Sequence, residues 1–563
     1  MIIYQIFTRL FGNDNTTNKP HGTLEDNGCG KMDFYTPAVL SRIKKLGVTH
    51  VWLTGVIRHA TTTDYSSYGV PRQHPSVVKG LAGSPYAICD YYDIDPDLAT
   101  KPENRMAEFE ALVGRIHKAG LKVIIDFVPN HVARQYQSIT KPEEVKDLGE
   151  NDKKDYHFSV QNNFYYCWGQ SFVAPTATDG DCADAYEETP AKATGNDCFS
   201  NAPGRNDWYE TVKLNYGVDY CDAGGRSQHF NPIPDTWNKM TSILLFWTGK
   251  GVDGFRCDMA EMVPSAFWYW ATDKVKCLNP EVKFIGEVYN PAQYREYLGA
   301  GFDYLYDKVG LYDCLKAVVR GECSAQAITQ QWQNVNDIQQ HMLNFLENHD
   351  EQRVASPFFA GNAQKGIPAL VVSTMLNTNP FMLYAGEEFG EKGMDAEGFS
   401  GEDGRTTIFD YWNPVSLYHG YVKRAKLTAE EKRIEKQHIN ILGIAANEKA
   451  VTEGKTFDLM YANPQSEEFN AHRVFAFMRS SEACGESVSN GRKESLLIVA
   501  NFSDEAESVA VNIPQHALDY MGIKADDYGA TDLVSGDDYV IKLSSEEPVR
   551  LIVPANNAVV LKF

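Results

Sequence analysis

The sequence predicts an α/β fold: a (β/α)8 TIM barrel with a long subdomain inserted after strand 3 and a C-terminal antiparallel β-sandwich. Helix-period segments such as Pro102–Ala119 and Asp235–Thr248 alternate with short apolar runs. Apolar strands that alternate with helices indicate a parallel sheet, and eight of them favour a closed barrel. The predicted strands are Ile2–Phe7, Val51–Leu53, Val123–Val128, Gly254–Cys257, Val282–Gly286, Tyr304–Tyr306, Leu343–Phe345 and Phe381–Tyr384.

Two regions depart from this alternation. The third and fourth runs are about 120 residues apart, which is too long for an ordinary connection, and the intervening segment is rich in Asn, Asp, Gly, Tyr and Cys. We therefore predict a barrel over 1–131 and 234–455 and an inserted domain over 132–233. Short alternating strands after Thr456 predict the β-sandwich over 456–563. The charged segment Thr428–Gln437 is interpreted as a helix with a solvated face.

The net charge and the distribution of apolar residues disfavour several classes of partner. A formal charge of −22 disfavours nucleic acid or an anionic membrane as the partner, because a polyanion is repelled over most of the surface. The chain has no apolar run of the ~18 residues that a bilayer span needs. Its first residues lack a signal-peptide pattern, so we expect a cytoplasmic protein, or a periplasmic or secreted one if a signal peptide has been removed.

The cysteines give a weaker indication. The eleven cysteines contain no CxxC pair, which disfavours a zinc site. Cys167, Cys182, Cys198 and Cys221 lie together in the predicted insertion, where two disulfides would fit an oxidising compartment. An odd count leaves at least one thiol free, so a disulfide framework is not required.

Four predicted strands end in acidic residues, namely Asp126, Asp258, Glu287 and Asp350. A single carboxylate in this position is often a loop cap. Four at the carboxyl end of one barrel, where barrel enzymes place their chemistry, indicate a functional site. Divalent metal binding is the main alternative, but the carboxylates are flanked by His131, Arg256 and His349, and an arginine does not suit a metal site.

Arg256 precedes Asp258 by two residues, so both side chains lie on the same face of a strand. The guanidinium can then hold a carboxylate ionised for nucleophilic attack. Glu287 follows an apolar stretch that favours its protonated form, as a general acid requires. A pair of this kind about 5 Å apart is typical of retaining glycosidases, in which Asp350 would stabilise the oxocarbenium-like transition state.

These residues resemble the α-amylase family (glycoside hydrolase family 13) over essentially the whole chain. Four short motifs match its signatures in the family's order, while Val212–Asn215 resembles a fifth only loosely. The four are DFVPNH at Asp126–His131, GFRCD at Gly254–Asp258, GE at Gly286–Glu287 and NHD at Asn348–Asp350.

The resemblance implies that Asp258 is the nucleophile, Glu287 the acid/base and Asp350 the transition-state stabiliser. It also implies that Asp126 orients the arginine and that Asn130 ligates a structural Ca2+, with no cofactor required for the chemistry. The implied sugar-contacting residues are Tyr86, which stacks on the sugar, together with His131, Arg256 and His349. Tyr165, Trp168 and Trp208 are candidates for a wall of the substrate groove or for packing within the insertion.

The expected reaction is cleavage of α-1,4 bonds in starch-derived glucans or maltooligosaccharides. Glu261 and Met262 stand where many α-amylases carry Lys-His at the leaving-group subsites, which puts ordinary endo-amylase subsites in doubt. A transglycosylase or an α-glucosidase of the same family would share the catalytic residues. A non-catalytic carbohydrate-binding relative and a barrel metalloenzyme are alternatives from other classes, and the intact acidic trio disfavours the first.

Overall fold

A computed structural model of the chain describes residues 1–175, 185–394, 396–399, 401–481 and 494–563. Eight parallel strands close into a barrel, in which each strand pairs with the next along the chain and the last pairs with the first. All eight predicted strands are therefore confirmed. Their bounds are β1 Ile2–Phe7, β2 His50–Thr54, β3 Lys122–Phe127, β4 Gly254–Cys257, β5 Lys283–Gly286, β6 Tyr304–Tyr306, β7 Met342–Phe345 and β8 Phe381–Tyr384.

Helices cover the outside of the barrel. The predicted helices near Pro102 and Asp235 are present, and the charged helix starts at a capping box formed by Thr428 and Glu431. The longer described helices are Pro37–Lys45, Arg105–Lys118, Asp235–Gly249, Ser265–Leu278, Tyr294–Gly299, Asp313–Val319, Ala327–Asn334, Ile367–Met375, Ala429–Asn447 and Gln515–Met521, with short ones at Leu24–Asn27, Val415–Leu417 and Lys449–Thr452. None of the described helices is long and apolar enough to cross a bilayer.

Residues 132–233, here called the inserted segment, have a different construction. Their described part contains no helix and only short two-stranded ladders: His131–Ala133 with Thr211–Lys213, Tyr166–Cys167 with Ala191–Lys192, and Val218–Asp219 with Ser227–Gln228. Buried polar contacts hold the segment together, such as the 2.7 Å ion pair between Arg134 and Glu188. Cys167, Cys198 and Cys221 are free thiols, and Cys182 lies outside the described residues.

The C-terminal region is antiparallel. Its largest sheet packs against the barrel through the strand Ser495–Asn501, which contacts the helix Ile367–Met375 and is buried along its whole length. A separate two-stranded ladder pairs Glu507–Val511 with Val549–Val553. The six strands of the main sheet, in spatial order, are Lys455–Asp458, Val474–Ser480, Ser495–Asn501, Asn557–Lys562, Asp526–Asp532 and Asp538–Leu543.

Candidate active site

Arg256 lies at the centre of the acidic residues that follow the barrel strands. Its Nη1 is 2.9 Å from Asp258 Oδ1, and its Nη2 is 2.8 Å from Glu287 Oε2. The guanidinium is completely buried, and three aromatic rings surround it with centroids 5.4–5.5 Å away, those of Trp52, Tyr86 and Tyr306. A buried cation between two carboxylates reduces their repulsion and fixes both in position.

Glu287 makes two further contacts. Its Oε1 accepts a 2.5 Å hydrogen bond from the Tyr289 hydroxyl, and its Oε2 accepts one of 2.8 Å from the Met259 N–H. Met259 has a φ of 44°, in the left-handed region that costs a non-glycine residue free energy, and this conformation directs its N–H to Glu287. The surroundings of Glu287 are thus more polar than the apolar run before it indicates.

Asp350 and His349 form the opposite side of the site. His349 Nε2 is 2.9 Å from Asp350 Oδ2 and 2.5 Å from the Tyr86 hydroxyl. Its Nδ1 faces the Gln5 side-chain amide at 2.8 Å. The contacting atom of Gln5 is the amide nitrogen, which only donates, so Nδ1 of the neutral ring accepts and the ring proton lies on Nε2, towards Asp350. The tautomer of His349 is therefore set by a residue of β1.

Asp126 lies behind these groups, at the end of β3. Its Oδ2 accepts a hydrogen bond of 3.0 Å from the Trp52 indole, and its Oδ1 is 3.6 Å from Arg256 Nη1. The Tyr86 hydroxyl is 3.4 Å from the same Oδ1. Asp126 is thus a neighbour of the arginine and does not line the described cavity.

The carboxylates open into a cavity of about 270 Å3. Barrel residues form its floor, while the inserted segment and a later loop form its walls. An ion pair of 3.1 Å between Lys79 and Glu210 crosses the rim. The lining residues are Lys79, Ser84, Tyr86, His131, Trp208, Glu210, Thr211, Asp258, Met259, Glu287, Tyr289, Asp350, Ile408 and Phe409.

The proton balance of the site follows from burial and charge. Burial raises the pKa of Asp258 well above its usual range, and the charges of Glu287 and Asp350 raise it further against the opposing effect of Arg256. Burial also raises the pKa of Asp350, but its contacts with His349 outweigh this effect and the pKa falls to about 2. The cluster therefore keeps a proton at a pH at which an isolated aspartate has lost its own.

His131 is uncharged in this environment. Burial, reinforced by the nearby ammonium of Lys213, lowers the pKa of His131 to about 3. Its ring packs on Trp208 with centroids 5.2 Å apart. A neutral imidazole beside an aromatic face suits an uncharged polar ligand, because it can hydrogen bond without bringing a charge into the cavity.

The structure brings most of the predicted site residues together. Asp258, Glu287, Asp350, Tyr86 and His131 line the cavity, and Arg256, His349 and Asp126 support them from behind. Of the aromatics predicted as a wall, Trp208 lines the cavity. Tyr165 is buried within the inserted segment, where its hydroxyl donates to the Val218 carbonyl, and Trp168 is 58% exposed outside the cavity lining.

Sequence reasoning missed several residues. Tyr289 follows Glu287 by two residues, the same spacing that singled out Arg256 before Asp258, and could have been found in the same way. Glu261, already singled out in the sequence, lies outside the cavity lining, and its Oε2 accepts hydrogen bonds from the backbone N–H groups of Tyr289 and Asn290, each at 3.0 Å. It thus supports the loop that carries Tyr289. No sequence pattern around Lys79 or the pair Ile408–Phe409 indicates that these residues line the cavity.

The predicted calcium ligand has other partners. The Asn130 side-chain oxygen accepts a 2.7 Å hydrogen bond from the Lys213 ammonium, and its Nδ2 donates to the Gly195 carbonyl at 2.7 Å. Calcium requires six to eight oxygen ligands. An oxygen already bound to a buried ammonium does not fit that role, so calcium binding at Asn130 is not supported.

Carboxylates paired across one arginine, at the carboxyl end of a closed (β/α)8 barrel, match the two-carboxyl arrangement of a glycoside hydrolase. The family model described as "Alpha amylase, catalytic domain" matches residues 5–440. The chain therefore belongs to the alpha-amylase family, whose members need no cofactor for their chemistry.

Known proteins of the family are similar at low identity. Neopullulanase 2 of Thermoactinomyces vulgaris is 22% identical over 78% of this chain and 68% of its own length. Alpha-amylase 3 of Dictyoglomus thermophilum is 24% identical over 81% and 78% of the two chains. The crystal structure of an alpha-amylase from Geobacillus thermoleovorans superimposes with a TM-score of 0.63 at 20% identity, over 100% of this chain and 97% of that chain. At this identity the structural likeness shows the fold, and these names cover more than one activity.

Proposed function

We propose that the protein is a retaining glycoside hydrolase that cleaves α-1,4-glucosidic bonds of starch-derived glucans or maltooligosaccharides by double displacement. The arrangement of Asp258 and Glu287 is the observation that carries the proposal. Both bind the same guanidinium and both line one cavity. Retaining glycosidases need two carboxyl groups about 5 Å apart, and one guanidinium can contact both only if they are close.

In this mechanism the proton that the carboxyl cluster keeps lies on Glu287, and Asp258 is ionised beside Arg256. In the first step the Asp258 carboxylate attacks the anomeric carbon while the bond to the leaving oxygen breaks. Glu287 gives its proton to that oxygen, so the leaving sugar departs neutral and a glycosyl ester of Asp258 remains. In the second step Glu287 takes a proton from water, the resulting hydroxide attacks the same carbon, and Asp258 is released. Two inversions at one carbon give net retention.

The other residues act on the charge that develops between these steps. Asp350, held by His349, accepts hydrogen bonds from sugar hydroxyls that tighten as the ring becomes positive. Arg256 neutralises the carboxylate released in each half-reaction. The Tyr86 ring lines the cavity beside Asp258 and Asp350 and offers an apolar face to the sugar.

A second candidate is an α-glucosidase of the same family, which would use the same carboxyl groups in the same cavity on the end of a short substrate. A transglycosylase would use the same first step and resolve the ester with a sugar hydroxyl. Product analysis over time on maltoheptaose distinguishes these three reactions.

The mechanism is tested with the variants Asp258→Asn and Glu287→Gln on starch and maltoheptaose. We expect each to lower kcat by about 10⁴-fold or more, since each removes a group that reacts directly. The matched control is Asp307→Asn, because Asp307 is a buried carboxyl that also follows a barrel strand but lies outside the cavity lining. Near wild-type turnover by either active-site variant, or an inverted anomer among fresh products measured by NMR, would refute the mechanism.

A further inference from the structure

Lys213 places an ammonium group between the barrel and the inserted segment. Its Nζ is 2.7 Å from Asn130 Oδ1, which follows β3, and 2.6 Å from Asp197 Oδ1 in the inserted segment. The backbone supports the same arrangement, because Lys213 pairs with His131 in a short ladder and its N–H donates to the Ala193 carbonyl. One cation therefore joins three separate stretches of the chain.

The surroundings of this cation resemble those of a bound metal more than those of a surface lysine. The Lys213 side chain is 2% exposed and that of Asp197 is 24% exposed. The ring centroid of Tyr220 is 5.7 Å from the ammonium. Burial lowers the pKa of Lys213 and the charge of Asp197 opposes that shift. A buried charge with a hydrogen-bonded partner of opposite sign is costly to break from either side.

A divalent cation cannot share this position with the ammonium. A metal bound to Asn130 Oδ1 would lie within a few ångströms of Lys213 Nζ, where like charges repel strongly in a poorly solvated interior. The oxygens that converge on Lys213 are one amide and one carboxylate, whereas calcium takes six to eight. The ammonium, with three N–H donors, matches so few acceptors better.

We propose that the Lys213 ammonium replaces a divalent cation as the link between the barrel and the inserted segment, so that this chain needs no calcium to hold the two together. The inference is independent of the proposed reaction, since it concerns the attachment of the segment that carries Trp208 and Glu210. It predicts that the folded enzyme is insensitive to chelators and sensitive to the loss of Lys213.

The test compares thermal unfolding of the full-length chain in EDTA and in calcium chloride, using wild type and Lys213→Met. We expect the wild-type Tm to be the same in both solutions within about 1 °C. Lys213→Met keeps the length of the side chain and removes its charge, so we expect its Tm to fall by roughly 5 °C. Arg226→Met is the matched control, because Arg226 faces the same Asp197 carboxylate at 3.7 Å but is 71% exposed; we expect its Tm to match that of the wild type.

Asp219, Asp222 and His229 form a second group that could bind a metal, because their ligand atoms lie within 4.8 Å of one another. The comparison of Tm in EDTA and in calcium chloride is therefore repeated with Asp222→Asn. A Tm that EDTA lowers in both proteins would overturn the proposal, as would a Lys213→Met protein as stable as wild type. An effect of EDTA that disappears in Asp222→Asn assigns the metal to the other group and leaves the proposal standing. The EDTA comparison decides the question even if Lys213→Met fails to fold.

Discussion

The barrel and the inserted segment contribute to the same cavity by different means. The barrel positions Asp258 and Glu287 at the ends of paired strands, where Arg256 lies opposite Ile285 in a fixed register. The inserted segment positions Trp208 and Glu210 with short ladders and buried ion pairs. Regular hydrogen-bonded structure therefore fixes the reacting groups, and individual side-chain contacts fix the wall. Substitutions on the barrel side should therefore mainly lower kcat. Substitutions in the inserted segment should mainly change substrate binding and the stability of the fold.

Among the substitutions that compare the two regions, Arg256→Lys on the barrel side has the largest expected effect. An ammonium cannot contact two carboxylates in the forked geometry of a guanidinium, so Asp258 and Glu287 lose their common anchor. We expect kcat to fall by about 10²–10³-fold, the loss typical of one preorganised electrostatic contact. Steady-state kinetics on maltoheptaose measures this fall.

The matched control for Arg256 is Arg58→Lys. Arg58 is also buried and also lies within 3.1 Å of two carboxylates, those of Asp90 and Asp93, but it lies outside the cavity lining. The Arg58→Lys protein should be less stable than wild type and should keep the wild-type kcat. Equal losses of kcat in the two variants would mean that Arg256 acts only through folding, and the contrast between the two regions would lose its basis.

Tyr289→Phe tests the hydroxyl that donates to Glu287. Burial and the charge of Glu287 raise the pKa of Tyr289, so the phenol stays protonated and remains a donor at any working pH. A hydrogen bond to a charged group contributes about 1.5–3 kcal/mol, and we expect kcat to fall by about 10–100-fold with little change in KM. Tyr312→Phe removes a similar 3.0 Å bond to Glu351 outside the cavity lining. A kcat that falls equally in this control would contradict the role given to Tyr289.

The difference between the regions also explains what the sequence could and could not predict. All eight parallel strands end at the same rim of the barrel. The apolar runs in the sequence therefore placed Asp258, Glu287 and Asp350 at one site, although the sequence shows no side-chain contacts. The two-residue spacing linked Arg256 to Asp258 for the same reason. The position of a residue such as Trp208 depends on ladders of two or three residues, which carry no periodic signal. The partnership of Asn130 with Lys213 joins positions far apart in sequence, and the family resemblance indicated a metal there instead.

A pH dependence of stability tests the junction of the two regions. Because the pKa of His131 falls from 6.5 to about 3 on folding, the unfolded chain binds a proton that the folded chain does not between these values. The neutral His131 side chain therefore contributes its full stabilisation above pH 6.5, and this stabilisation is lost as the pH falls towards 3. Between pH 7 and 5 we expect wild type to lose about 2 kcal/mol more than His131→Gln. Urea unfolding at both pH values measures this, with the exposed His229→Gln as control; equal losses in wild type and His131→Gln would contradict the burial of a neutral His131.

The smallest expected effect belongs to the wall formed by the inserted segment. Trp208 packs on His131 and lines the cavity, so Trp208→Leu removes an aromatic face from the substrate and leaves every carboxylate in place. An aromatic contact contributes about 0.5–1.5 kcal/mol, and we expect KM to rise by roughly 3–10-fold with kcat nearly unchanged. Trp168→Leu is the control, since Trp168 belongs to the same segment but is 58% exposed and outside the cavity lining. A fall in kcat as large as that of Tyr289→Phe would show that the wall also positions the reacting groups, and the division between a barrel that reacts and a segment that binds would then fail.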